Sequence, residues 1–223
     1  MFWPEVSGRL AAAGFYVVSF NFSRLAARAA AGLSPQEAAA AETQSRELQD
    51  LEQLLRVLEQ LLRVLQEKRL PLAPLADPVR LALLGHSRAG GTVIVFAAEH
   101  PEVQALAVWN GGSPPVRRYG PGETPSLAEQ AIQADLAASG GRYNLEQALS
   151  RLSAKALVIQ GDADRGELLR QNERFREQAP QHRYVTVPGA DHIFNTGEPY
   201  AGSTPVLDTA VAETAAFLLA QLK

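Results

Sequence analysis

Short, almost wholly apolar runs recur along the chain and predict the strands of a buried sheet. They are bounded by glycine, proline or charged residues and lie at 15–22, 79–84, 103–109, 156–160 and 184–187. Continuous apolar character, rather than strict alternation, is typical of parallel strands that are covered on both faces. Segments with helical periodicity separate these runs, at 4–13, 34–70, 89–99, 126–138, 144–152, 167–178 and 205–222. The alternation predicts a single α/β domain with a mostly parallel sheet and helices on both faces.

The segment 34–70 differs from the other predicted helices in its length and in an internal repeat. Ser34 and Glu37 form a capping-box pattern with proline in the first turn, and the segment has no other proline and no glycine. The heptad LEQLLRV at 51–57 is repeated at 58–64. Seven residues make about two helical turns and rotate the apolar face by only about 20°, so we expect one longer amphipathic helix. Two interpretations are open: a protruding arm that forms a homodimer, or a surface helix on the sheet that tolerates the duplication.

A motif that suits nucleophilic chemistry follows the strand at 79–84. The sequence there is Gly85-His86-Ser87-Arg88-Ala89-Gly90-Gly91, and it leads into the helix at 89–99. A sharp turn between a strand and a helix lifts a serine hydroxyl above the sheet, and small neighbours let the two elements approach closely. Ala89 stands where the strict G-x-S-x-G pattern has its last glycine. Ser87 is therefore a candidate nucleophile, and the alternative is a tight turn with a buried hydroxyl.

Two later strands also end in residues that suit acyl-transfer chemistry. Asp162 and Asp164 follow the strand at 156–160, and Asp191 and His192 follow the strand at 184–187. The carboxyl ends of parallel strands meet at one edge of a sheet, where open α/β sheets gather their sites. A serine is a weak nucleophile until a histidine takes its proton, and a carboxylate orients that histidine. The pattern therefore predicts a serine, an acid and a histidine at one edge.

On these residues the chain resembles α/β-hydrolases of the dienelactone-hydrolase-like, esterase-type branch, and the resemblance covers nearly the whole chain. The order of serine, acid and histidine is that of triads on α/β-hydrolase sheets. The resemblance implies that Ser87 is the nucleophile, Asp164 the acid and His192 the base, because the family's acid comes three residues after the strand-end glycine. Asp162 is then expected to cap its turn and Asp191 to shape its loop. Dienelactone hydrolases proper use a cysteine nucleophile, and this chain has no cysteine.

The resemblance also implies an oxyanion hole with two N–H donors. The N–H of Arg88, the residue after the nucleophile, is one of them. In the family the second donor comes from a His-Gly-type loop. This loop and two or three strands precede the family's counterpart of the helix at 4–13. In the sheet, the last of these strands lies between the strands at 15–22 and 79–84. The sequence begins at Met1, after the place of these elements. Three interpretations are open: a start further upstream, a gap filled by a partner chain or another segment, or an inactive family member. The expected fold is an N-terminally truncated α/β-hydrolase fold.

Composition and charge narrow the classes of function. A length of 223 residues with 46% hydrophobic residues suits one domain with a sizeable core. A formal net charge of −3 gives no electrostatic footprint for nucleic acid or for an anionic membrane. Apolar runs stay well short of the roughly 18 residues that span a bilayer, and Glu5 stands where a signal peptide needs positive charge, so we expect a cytoplasmic protein. Without cysteine, and with no two histidines at metal-ligand spacing, we expect neither a metal nor another cofactor.

The remaining candidate features are weaker indications of function. The segment 113–142, which contains one short helix, predicts a small cap or loop insertion near the site. Arg117 and Arg118 within it are candidates to meet an anionic substrate, although adjacent exposed arginines are usually only solvated. His100 is expected at a helix end, where a positive charge suits the helix dipole. His182 precedes a strand and is expected to be exposed.

These observations predict a carboxylesterase-like serine hydrolase. It would cleave a carboxylic ester or related acyl bond of a small molecule through an acyl-enzyme on Ser87. One alternative is a catalytically impaired hydrolase fold that acts as a binding or dimerisation scaffold. Another is an acyltransferase, in which an alcohol or thiol takes the place of water.

Overall fold

A computed structural model describes most of the chain, including all three residues of the expected triad. The described residues are 2–20, 22, 32–41, 43–67, 77, 79–112 and 122–222, with the backbone alone at 62, 65 and 66.

Four parallel strands form one sheet in the order β1-β2-β3-β4 within the described residues. They are β1 (Leu81–His86), β2 (Val103–Trp109), β3 (Lys155–Gly161) and β4 (Arg183–Val187). The register places Leu83 opposite Leu106, and Leu106 opposite Ala156. Four of the strands predicted from the apolar runs are thus confirmed, each within two residues at either end. Because the strands are parallel, the loops that carry the candidate site residues all leave from the same edge of the sheet.

Eight helices are found in the described part of the chain. They are α1 (Trp3–Ala12), α2 (Pro35–Ala40), α3 (Gln44–Gln66), α4 (Arg88–Glu99), α5 (Leu127–Ala138), α6 (Leu145–Arg151), α7 (Gly166–Gln178) and α8 (Pro205–Gln221). Side-chain oxygens of Ser34, Ser126, Asn144 and Thr204 accept N–H groups of the first turns of α2, α5, α6 and α8, which explains where these helices begin. None of the helices in the described ranges is both long enough and apolar enough to cross a membrane.

The helices cover both faces of the sheet and bury two separate cores. On one face, side chains of α3, α4, α6 and α7 pack against Leu106 and Val158. On the other face, α1 and α8 pack against Trp109 and Leu157. Successive residues of a strand point to opposite faces, so the stretches that serve both cores, 105–109 of β2 and 156–159 of β3, are apolar at every position. This arrangement explains the continuous apolar runs from which these strands were predicted.

The strand predicted at 15–22 is wrong. Residues 15–20 and 22 form no strand pairing, and residue 21 lies outside the described part. Phe15 and Val17 pack against the α1–α8 core, whereas the residues between and after them point to solvent: Tyr16, Val18 and Phe20. The segment alternates between buried and exposed residues as a strand does, but it forms no hydrogen-bond ladder with another strand. The strand β1, at the end of the sheet, pairs with β2 alone among the described strands. Strand formation needs a neighbouring backbone to receive its hydrogen bonds, and an apolar run cannot show whether one is present.

The single helix expected at 34–70 is two helices. α2 ends at Ala40, α3 begins at Gln44, and residues 68–70 lie outside the described part. Both copies of the heptad lie within α3 without a break. Leu51 of the first copy is buried in the core, whereas Val57, at the end of that copy, is 57% exposed. The duplication therefore lengthens α3 beyond its buried part, and the homodimer stays a prediction.

The helix α5 lies beside α2 and α3. The Ser45 backbone N–H donates to the Asp135 carboxylate over 3.0 Å, and the hydroxyls of Ser45 and Tyr143 are 2.6 Å apart. The contact with Asp135 attaches the second half of the expected cap to the helical layer. Residues 113–121, including both candidate arginines of that segment, lie outside the described part. The cap itself therefore stays a prediction.

The expectation that His182 is exposed is wrong. Its ring lies between β3 and the end of α6, where Nδ1 accepts the Ala156 N–H over 3.2 Å and Nε2 donates to the Leu149 carbonyl over 2.8 Å. Burial lowers the pKa of His182, so the neutral ring is favoured. Both contacts join residues far apart in sequence, which local polarity does not reveal.

Candidate active site

Ser87 lies on a strained turn between β1 and α4. Its backbone has φ 57° and ψ −127°, a conformation that costs a non-glycine residue free energy. The neighbours of the turn are small because there is no space for larger ones. A Cβ at Gly85 would lie 2.5 Å from the Ala89 carbonyl oxygen, and one at Gly90 would lie 2.7 Å from the Gly111 Cα. Ala89 can replace the last glycine of the strict motif because close packing falls on Gly90 instead.

The structure brings together Ser87, Asp164 and His192, which are far apart in sequence. The Ser87 hydroxyl lies 2.8 Å from His192 Nε2. On the other side of the ring, Nδ1 lies 2.9 Å from Asp164 Oδ2 and 3.1 Å from Oδ1. The tautomer that satisfies these contacts carries its proton on Nδ1, donates it to the carboxylate and accepts the serine hydroxyl at Nε2. A base placed this way can take the hydroxyl proton.

The two aspartates after β3 have different partners. The Asp164 carboxylate is buried, and besides His192 it accepts the Gln160 side-chain amide over 3.0 Å and the Arg165 backbone N–H over 2.6 Å. Asp162 is exposed and accepts the Gly189 N–H over 2.6 Å, which connects the loop after β3 to the turn after β4. Of the two carboxylates, Asp164 is the one in contact with the histidine.

The arrangement of strands and helices is shared with solved structures of known proteins. Est1E from Butyrivibrio proteoclasticus aligns with a TM-score of 0.57 and 16% identity, over 81% of this chain and 71% of its own. A dienelactone hydrolase from Anabaena variabilis aligns with a TM-score of 0.54 and 20% identity, over 99% of this chain and 79% of its own. Carboxyl esterase 2 from the fungus Tuber melanosporum aligns with a TM-score of 0.52 and 14% identity, over 75% and 60%. This chain has the α/β-hydrolase fold. No protein-family model matches its sequence, and neither does any curated protein.

Arg88, the residue after Ser87, is the first residue of α4. The Arg88 side chain is turned toward α3, where its Nε lies 2.8 Å from the Glu47 carboxylate. Thr92 donates its hydroxyl to the same carboxylate over 2.6 Å. The Glu47 side chain is 2% exposed, so its charge is compensated inside the protein by these two groups. Glu47 carries no signal in the sequence, because nothing local connects α3 to the Ser87 turn.

Two residues at the ends of neighbouring strands contact the main chain of the loop that carries His192. His86 Nε2 lies 2.7 Å from the His192 carbonyl oxygen, and Asn110 donates its side-chain amide to the same oxygen over 3.0 Å. Within the loop, the Asp191 carboxylate accepts the N–H groups of Ile193 and Asn195 over 2.9 and 2.7 Å. Asp191 therefore shapes the loop. Asn110 was missed in the sequence, although a polar residue directly after a buried strand is a signal that could have identified it.

The guanidinium of Arg165 lies over the outer face of the site. Its Nη2 is 3.1 Å from His192 Nε2, while Nε is 3.8 Å from Asp164 Oδ1. The Arg165 side chain is 59% exposed, so it can leave this position without disturbing the core. A positive charge therefore lies beside the histidine at the solvent-facing side of the site.

Within the described ranges, no group of three or more histidine, aspartate or glutamate side chains is placed to hold a metal ion. The chemistry that the described site offers is that of a hydroxyl, an imidazole and a carboxylate.

Proposed function

We propose that this chain is a serine hydrolase that cleaves a carboxylic ester, or a related acyl bond, of a small molecule. The observation that carries the proposal is the hydrogen-bonded series from Ser87 Oγ to His192 Nε2 over 2.8 Å and from Nδ1 to Asp164 over 2.9 Å. The strained turn at Ser87 supports it, because strain of this kind concentrates at functional sites. The likeness of the fold to proteins named as esterases and as a dienelactone hydrolase also supports it.

The reaction proceeds in two halves. His192 takes the Ser87 proton as Oγ attacks the acyl carbon, and the carbonyl oxygen becomes an oxyanion that the Arg88 N–H stabilises. His192 then gives the proton to the leaving alkoxide as the C–O bond breaks, which leaves an acyl-enzyme on Ser87. Water, deprotonated by His192, attacks the acyl-enzyme, and the carboxylic acid leaves as Ser87 regains its proton. Throughout, Asp164 holds the ring orientation and stabilises the imidazolium.

The test is hydrolysis of p-nitrophenyl acetate and butyrate by the purified chain and by Ser87→Ala. Ser150→Ala is the matched control, because Ser150 lies on the exposed side of α6 and its hydroxyl donates to the Gln147 carbonyl. We expect Ser87→Ala to lose at least about 10³-fold in kcat, while the control keeps the parent's rate. A fluorophosphonate probe should label Ser87 in the parent protein, as mapped by peptide mass spectrometry.

A folded parent protein that neither turns over these esters nor takes the probe would contradict the proposal and favour a scaffold role. Adding a primary alcohol to the assay separates hydrolysis from acyl transfer, because a transferase would give the new ester in place of the free acid.

A further inference from the structure

The main-chain carbonyl of His192 accepts two hydrogen bonds from beneath the site. The donors are His86 Nε2 at 2.7 Å and Asn110 Nδ2 at 3.0 Å. His86 is the last residue of β1 and Asn110 directly follows β2, so the donors come from the ends of two adjacent strands. A rigid sheet edge therefore fixes the position of the residue whose ring contacts Ser87.

Asn110 connects the acid's strand to the base's loop. Its side-chain oxygen accepts the Gly161 N–H over 2.8 Å, at the end of β3, while its amide also lies 3.2 Å from the Asp191 carbonyl. Asn110 is fully buried, and its backbone has a φ of 45°, which asparagine tolerates better than most residues. The side-chain oxygen accepts from the end of β3, and the side-chain amide donates to the loop that carries His192. The distance between Asp164 and His192 therefore depends in part on this one amide.

His86 can hold the carbonyl only when Nε2 carries a proton. The ring is enclosed by the rings of Phe2 and Trp3, with centroids 5.5 and 6.2 Å away, and burial lowers the pKa of His86 to about 4. At neutral pH the ring is therefore uncharged. Its centroid is 5.1 Å from that of His192. An uncharged neighbour at this distance does not oppose the imidazolium that His192 becomes during the reaction.

We propose that His86 and Asn110 are positioning residues, which set the orientation of the His192 ring by holding its main-chain carbonyl from two strand ends. The proposal rests on the proposed function, because it gives His192 the role of base. Neither residue touches the reacting atoms; both act through His192. Displacing a reacting group by about 1 Å can cost about 10²-fold in rate, so loss of either donor should lower kcat rather than binding.

The test compares variants that remove a donor with variants that keep it. His86→Leu removes the N–H, while His86→Gln keeps a side-chain N–H donor near the same place. We expect His86→Leu to lose about 10- to 100-fold in kcat at a KM within about twofold of the parent's, and His86→Gln to recover most of the loss. Asn110→Asp keeps the acceptor for Gly161 but turns an oxygen toward two carbonyls, so we expect a loss at least as large. Asn144→Asp is the matched control, because Asn144 caps α6 and aspartate caps equally well.

A second readout does not depend on turnover. Proton NMR should show a low-field resonance for the Nδ1–H that His192 shares with Asp164, assigned by its absence in Asp164→Ala. We expect the resonance in the parent and in His86→Gln, and its broadening or loss in His86→Leu and Asn110→Asp. A parent without ester turnover contradicts the proposed function, and the NMR comparison then decides the positioning proposal alone. Folded His86→Leu and Asn110→Asp variants with the parent's kcat, or with an unchanged resonance, would overturn the positioning proposal.

Discussion

Arg165 places a guanidinium nitrogen 3.1 Å from His192 Nε2, the same nitrogen that faces the Ser87 hydroxyl at 2.8 Å. The neutral ring has one lone pair at Nε2, and both donors are directed at it. In the proposed mechanism His192 takes the serine proton, after which Nε2 is a donor and two positive charges face each other. Under the proposed mechanism, the exposed Arg165 side chain would therefore move away during each turnover.

This competition predicts that Arg165→Met speeds the hydrolysis of uncharged esters. One hydrogen bond contributes about 1 kcal/mol, so we expect kcat/KM for p-nitrophenyl butyrate to rise about fivefold. Arg170→Met, an exposed arginine on α7, is the control and should leave the rate unchanged. A fall in kcat/KM for Arg165→Met would mean that the guanidinium assists the base instead of competing with it.

The lowered pKa values of two histidines, His86 and His182, predict that the fold loses stability in mild acid. Burial lowers the pKa of His86 to about 4 and also lowers that of His182, whereas an unfolded histidine titrates near 6.5. Between these values the unfolded chain binds protons that the folded chain excludes. The stabilising contribution is therefore complete above about pH 6.5 and is lost as the pH falls toward 4.

Urea unfolding at several pH values between 5 and 7 measures this effect. Each excluded proton contributes at most about 1.4 kcal/mol per pH unit to the slope. His86→Gln and His182→Gln should each flatten the dependence of the unfolding free energy on pH. If neither variant changes the slope in this range, the two rings are not the groups that exclude protons.

The fold was largely predictable where the signal is local. The strand at 103–109 matches β2 at both ends, since all its residues except Gln104 are buried, and such nearly continuous burial is visible in a single apolar run. The positions of Ser87, Asp164 and His192 were predictable for a related reason. Parallel strands bring their carboxyl ends together, so residues after three strands become neighbours once the strands are identified.

What could not be predicted depends on partners that lie far away in sequence. The segment at 15–22 has the composition of a strand, but strand structure requires a paired neighbour. His182 is polar and precedes a strand, yet its ring is buried through contacts with Ala156 and Leu149. Asn110 contacts the loop at His192, 82 residues away along the chain, and Glu47 contacts Thr92 of the helix α4, 45 residues away. Such contacts depend on topology, which a pass along the sequence does not supply.

The duplicated heptad predicts a tolerated deletion. Removing 51–57 or 58–64 yields the same sequence, with α3 two turns shorter and its apolar face rotated by only about 20°. Glu47 and Leu48 precede the repeat and are buried, so the part of α3 that contacts the sheet layer is retained. We expect the deletion variant to fold with the parent's ester turnover. Analytical ultracentrifugation of both proteins tests the predicted homodimer. A dimeric parent and a monomeric variant would support a dimerisation arm built by the repeat. The same oligomeric state in both proteins would contradict it.

The Glu47–Arg88 pair predicts an asymmetric response to the loss of either charge. The Glu47 side chain is 2% exposed and the Arg88 side chain 23%. The carboxylate left by Arg88→Met would therefore be less accessible to water than the guanidinium left by Glu47→Gln. Breaking a buried pair costs about 3–5 kcal/mol of unfolding free energy. We therefore expect Arg88→Met to lower the unfolding free energy by nearly this amount, and Glu47→Gln to lower it by less.

The double variant, Glu47→Gln with Arg88→Met, should recover part of the loss, because no charge is then left buried. Urea unfolding of the four proteins completes a double-mutant cycle, and we expect a coupling energy above about 1 kcal/mol. The control is Glu99→Gln, which breaks the more exposed pair with Arg142 and should cost about 0.5 kcal/mol or less. Additive losses across the cycle would show that the Glu47 and Arg88 side chains do not stabilise each other.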